Sequence, residues 1–129
     1  MNHRNPRFGT IGWADLSVAN ANEVRDFYQA VVGWRSQDVP MGEYSDYAML
    51  PPMGDTAVSG ICHARGVNAD LPPCWLVYIT VKNLDESLSE VRKRGGKTRG
   101  EIRGAGGQGR FCVIEDPAGA VACLYEMPR

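Results

Sequence analysis

The chain has 129 residues, the size of one ordinary domain with a core of its own. Its 14 Lys and Arg against 15 Asp and Glu give a formal net charge of −1, mixed along the chain, which argues against nucleic acid or an anionic membrane as partner. No apolar run approaches the roughly 20 residues of a membrane-spanning helix, and the polar start, residues 1–6, lacks the apolar stretch of a signal peptide; the expected compartment is the cytoplasm.

Residues 11–18 alternate as a strand, with Ala14, Leu16 and Val18 on one face and Trp13, Asp15 and Ser17 on the other. Asn20 then stands where a helix cap belongs, and Glu23 follows three residues on, where it can answer the cap. The helix is expected to run to about Val32 behind a stripe of Val24, Phe27, Tyr28 and Val31, and to stop at Gly33. Strands are expected near 34–39, 44–50 and 57–64, parted by Pro40-Met41-Gly42 and Pro51-Pro52-Met53-Gly54-Asp55. Residues 65–73 read as a connection. A second strand–helix pair follows: Leu76–Val81, then a helix capped by Asn83, striped by Leu84, Leu88 and Val91, and stopped by Gly95-Gly96. Three more strands are expected near 97–102, 110–115 and 120–127, the last after Asp116-Pro117-Ala118-Gly119.

The two halves superpose at a constant shift of 63 residues, which aligns Val18 with Val81, Asn20 with Asn83, Glu23 with Glu86 and Gly33 with Gly96. The same shift aligns Ala57-Val58 with Ala120-Val121 and Ile61 with Leu124. The expectation is an internal duplication within a single domain, with β-α-β-β-β units at about 10–64 and 74–127. The four cysteines, at 62, 74, 112 and 123, form no C-x-x-C pair, so a structural zinc site is not expected and reduced, mostly buried thiols are.

Paired units of this order, with Phe27-Tyr28 before Val32-Gly33-Trp34 and an Asp-Pro-x-Gly turn at Asp116, resemble the vicinal oxygen chelate superfamily of glyoxalases, bleomycin-resistance proteins and dioxygenases, over about residues 10–127. The resemblance implies an α+β fold in which two tandem βαβββ units form a curved mixed sheet around a cavity, often within a homodimer. It also implies a divalent metal held by His, Gln and Glu from the first and last strand of each unit. The matching positions here are Trp13, Gly60, Leu76 and Cys123, and a slip of two gives Asp15, Cys62, Tyr78 and Tyr125. Neither set offers a His or a Glu, so no metal and no other cofactor is expected.

Of the two histidines, His3 lies in the N-terminal tail, and His63 ends a strand with parity opposite to Cys62, as a rim residue. Gly104-Ala105-Gly106-Gly107-Gln108-Gly109 spells a dinucleotide motif, yet it precedes a strand where the motif needs a helix N-terminus. A mobile loop over the cavity mouth is the reading that remains. No catalytic set emerges. Asp15, mid-strand and opposite the apolar face, is the one candidate for a base or a cation partner. Trp13, Asp15, Tyr47, Met49 and Cys62 from the first half are candidate ligand-binding residues. Tyr78, Phe111, Cys123 and Tyr125 from the second complete an aromatic pocket for a small molecule. The leading expectation is a metal-free binding or sequestering protein. The rivals are a glyoxalase-, epimerase- or dioxygenase-like enzyme with a divergent metal site, and a component of a larger complex.

Overall fold

Alternation along β1 (Ile11–Val18) sets the pattern for the rest: Leu16 is buried on one face, while Asp15 takes the other. The computed structural model describes residues 7–104, 107 and 109–128. The described residues divide into two compact units, Trp13–Trp75, and those from Leu76 onward together with residues 7–12.

In the first unit, β1 leads into α1 (Ala21–Val32), then β2 (Arg35–Pro40), β3 (Ser45–Leu50) and β4 (Ser59–His63). Its strand order is β2-β3-β4-β1, antiparallel except for the parallel β4–β1 pair. Ala21, Tyr47, Met49 and Ile61 form the buried helix–sheet core, with Val18, Val24, Tyr28, Trp34 and Trp75 packed against it. The expected helix stripe is therefore partly corrected. Val24 and Tyr28 turn inward, but Phe27 and Val31 are 56% and 63% exposed, because the spacing Ala21, Val24, Tyr28 already defines the buried face. Asn20 makes no cap to the backbone; its Nδ2 donates to Glu23 Oε1 at 2.9 Å. Gly33 ends the helix in the left-handed conformation, φ +84°, its N–H bonded to Gln29 O at 3.0 Å.

The second unit repeats the order as β5 (Trp75–Thr80, its first residue belonging to the first unit), α2 (Leu84–Lys93), β6 (Lys97–Arg103), β7 (Arg110–Glu115) and β8 (Val121–Glu126). The strands run β5-β8-β7-β6, with β5–β8 parallel, the other pairs antiparallel, and a bulge between Arg99 and Arg103. Its core is Leu84, Leu88, Cys112 and Leu124, joined by Ile79, Val81, Val91 and Ile114. Here the expected cap forms, Asn83 Oδ1 accepting the Glu86 N–H at 3.0 Å. The result is an α+β architecture. Among the described residues no helix is long and apolar enough to cross a membrane.

One buried carboxylate ties the second unit together. Glu126 Oε2 accepts the Leu84 N–H at 3.0 Å, and its Oε1 accepts from Arg110 Nε at 2.9 Å. A negative charge at the first turn of α2 also complements the helix dipole. Removing it strands a buried N–H, so Glu126→Ala is expected to lower the unfolding free energy by about 1–3 kcal/mol, read from the urea midpoint at unchanged slope.

Candidate functional site

The parallel register of β1 and β4 pairs Leu16 with Ile61 on the helix side. It pairs Asp15 with Gly60 and Ser17 with Cys62 on the opposite, helix-free side. Asp15 Oδ1 accepts from Trp13 Nε1 at 2.6 Å. Asp15 fits there because Gly60 has no side chain, since a Cβ at residue 60 would collide with Asp15 Oδ1. Asp46, buried on β3, accepts the backbone N–H of His63 at 2.8 Å and lies 3.3 Å from its Nδ1. The Cys62 thiol is held between these two carboxylates. Burial first, then the charges of Asp15 and Asp46 and a hydrogen bond to Asp46, push its pKa up to about 12. It is a neutral thiol at physiological pH and no nucleophile.

In the second unit, the register pairs Tyr78 with Cys123, Thr80 with Tyr125, and Phe111 with Tyr125. Leu124, Cys112 and Ile79 turn to the helix, so Tyr78, Phe111, Cys123 and Tyr125 share the helix-free face. The Tyr78 and Phe111 rings stand 6.0 Å apart at 51°. Gly109, at φ +85°, brings the backbone close to this face, where a Cβ would come within 2.8 Å of Tyr125 Oη. On β6, Arg103 lies opposite Phe111 and Arg99 opposite Val113, and Arg99 pairs with Glu115 at 3.6 Å. Half-buried rings beside guanidinium groups can stack a planar ligand and orient a polar substituent on it.

The structure places the sequence candidates unequally. Trp13, Asp15 and Cys62 share one helix-free face, and Tyr78, Phe111 and Tyr125 the other. Cys123 shares the latter but has no exposed surface, so it supports the face without touching a ligand. Tyr47 and Met49 are corrected. They pair toward Ile61 and Ser59 and sit in the helix–sheet core, where Arg25 stacks on the Tyr47 ring at 4.6 Å. His63, at the end of β4, is half-buried beside Tyr44 and held by Asp46. Sequence reading missed Asp46, although its parity with Ala48 against Tyr47 and Met49 carried the signal. His3 and residues 105, 106 and 108 of the glycine-rich segment lie outside the described residues.

The family's metal positions do not fit a metal. Trp13 spends its one polar hydrogen on Asp15, Gly60 has no side chain, Leu76 is buried and apolar, and Cys123 is buried outright. Among the described residues no group of three or more His, Cys, Asp or Glu is arranged to hold a metal ion.

Comparison with known proteins places these features in context. The profile of the Glyoxalase/Bleomycin resistance protein/Dioxygenase superfamily matches residues 10–124. A putative glyoxylase, CFP32, of Mycobacterium tuberculosis is 30% identical over 95% of this chain and 48% of its own length. The anthracycline biosynthesis protein DnrV of Streptomyces peucetius is 29% identical over 92% of this chain and 42% of its own. The chain thus spans about half the length of the curated relatives it matches. Methylmalonyl-CoA epimerase from Mycobacterium tuberculosis superposes with a TM-score of 0.59 at 16% identity, covering 100% of this chain and 94% of that one. At that identity the likeness speaks to the fold.

The cysteine environments are open to direct measurement. Iodoacetamide near pH 8 is expected to modify exposed Cys74 first and to spare Cys62, and Asp46→Asn is expected to speed alkylation of Cys62, read by peptide mass spectrometry. Because the folded thiol titrates near 12 and the unfolded one near 9, its stabilising effect holds below pH 9 and is lost as pH rises toward 12. Over that window the wild type is expected to lose more stability than Cys62→Ala.

Proposed function

The chain belongs to the glyoxalase/bleomycin resistance protein/dioxygenase superfamily, and from that premise we propose that it binds an organic small molecule without a metal at the family's ligand positions. The observation that carries this reading is the helix-free face of the second unit, where Tyr78, Phe111 and Tyr125 present half-buried rings. The ligand class it fits is planar and aromatic, stacked on the rings and anchored by Arg103 or by the Tyr78 and Tyr125 hydroxyls. A relative named for anthracycline biosynthesis supports that class. No cofactor enters the reading, since Trp13, Gly60, Leu76 and Cys123 supply no hard-metal ligand.

The same reading takes the protein as a cytoplasmic homodimer, with neither nucleic acid nor membrane as partner. Four unbridged cysteines support the compartment. The dimer is supported by Phe27 and Val31, which are exposed on α1 where α2 carries the Glu90–Arg94 ion pair. The internal duplication belongs here too, because each unit repeats one element order at nearly the same spacing.

A second reading is an enzyme in which Asp15 acts as base, favoured by relatives named glyoxylase and by solved neighbours named epimerases. Calorimetric titration with a panel of planar aromatic compounds separates the two. Binding without turnover is expected, with Phe111→Ala weakening affinity at least about tenfold, as one lost aromatic stacking contact of ~1.4 kcal/mol would, and Asp15→Asn leaving affinity within about twofold. Turnover abolished by Asp15→Asn would establish the enzyme instead.

A further inference from the structure

The two units pack their helices on their sheets in the same way, yet fill the space differently. The shift of 63 residues aligns Val18 with Val81, Tyr28 with Val91, Trp34 with Lys97 and Ile61 with Leu124. Strand register makes Met49 the counterpart of Ile114, since Met49 pairs with Ser59 and Ile114 with Ala122. In the first unit the far end of the helix–sheet seam is closed by three rings. Tyr28 lies 5.7 Å from Trp34 and 5.4 Å from Trp75, the two indoles are 6.0 Å apart, and Trp75 Nε1 donates to Tyr28 Oη at 3.2 Å. In the second unit, Val91 and Lys97 put no ring at either position.

What stands there is a groove of about 440 Å³, floored by Val81, Val91, Gly96, Ile114, Pro117 and Leu124. That is the size of a small-molecule site, and its lining is apolar apart from charged groups at the mouth. The charged groups there are Glu86, Glu90 and Arg94 from α2, whereas Glu115 shares the strand parity of Val113 on the helix-free face, and the Asp116 carboxylate accepts the Ala118 and Ala120 N–H groups of its own turn at 2.8 and 3.0 Å. Glu90 is paired twice, with Arg94 at 2.8 Å and with Lys93 at 3.5 Å. Glu86 and Glu90 against Arg94 and Lys93 leave the mouth near charge balance.

We propose that this groove is a second ligand site, distinct from the helix-free face, which takes a small uncharged aromatic ring. The sister unit is the template, because its own Tyr28 and Trp34 occupy the equivalent place as covalent side chains. An aromatic ligand restores in the second unit the ring packing that Val91 leaves out, as apolar guests fill apolar cavities elsewhere.

The test uses the full chain with indole as the probe. Indole is expected to bind with a millimolar or better dissociation constant. In methyl-labelled protein, indole is expected to shift the resonances of Val81, Val91, Ile114 and Leu124. Val91→Tyr, which copies the first unit, is expected to raise the melting temperature and weaken indole binding at least tenfold. Should that variant fail to fold, the methyl shifts in the wild type decide alone. The proposal is overturned if indole leaves those methyls unmoved, if it binds Val91→Tyr as well as wild type, or if Val91→Tyr instead breaks a dimer seen by light scattering. Shifts at Val113 on the opposite face, with the groove methyls silent, would overturn it while leaving the helix-free face as a binding surface.

Discussion

Each unit depends on one constraint, the in-register parallel pairing of its first and last strands. Side chains alternate along a strand, so fixing one pair fixes every face. Leu16 opposite Ile61 commits Asp15, Gly60, Ser17 and Cys62 to the helix-free side, and Ile79 opposite Leu124 does the same for Tyr78, Cys123 and Tyr125. A slip of one residue would bury Asp15 under α1 and expose Ile61. The cost of burying an unpaired carboxylate in that apolar core rules the slip out. Glycine then does locally what register does globally. Residue 60 lacks a side chain beside Asp15, which leaves room for a carboxylate where a Cβ would collide.

From one scaffold the two units make opposite choices. On the helix-free side, the first is polar and acidic around a thiol that does not ionise at neutral pH, and the second is aromatic. On the helix side the roles reverse, with rings filling the first unit and leaving a groove in the second. The same element order thus carries different side chains on each face of the two units.

Much of this was legible in the chain. Strand parity, the cap at Asn83 and the stop at Gly33 follow from local chemistry, and the element boundaries fall within a few residues of their expected places. The candidate site was legible where parity alone decides, as for Asp15, Tyr78, Phe111 and Tyr125. It failed for Tyr47 and Met49, because an aromatic and a thioether suit a pocket and a core equally well, and only the pairing with Ile61 and Ser59 assigns their side. Phe27 and Val31 misled for a related reason. An apolar stripe wider than the seam it covers leaves part of itself in water, and its width is set by the sheet beneath. Glu126 and Asp46 escaped notice because their partners, the Leu84 and His63 N–H groups, are brought to them by tertiary pairing rather than by local sequence.

The central claim is that this chain keeps the superfamily's scaffold while binding an organic ligand without the superfamily's metal. Titration of a planar aromatic ligand before and after exhaustive EDTA treatment tests it most directly. An unchanged dissociation constant is the predicted result. Affinity lost on chelation and restored by one equivalent of a divalent metal would contradict it.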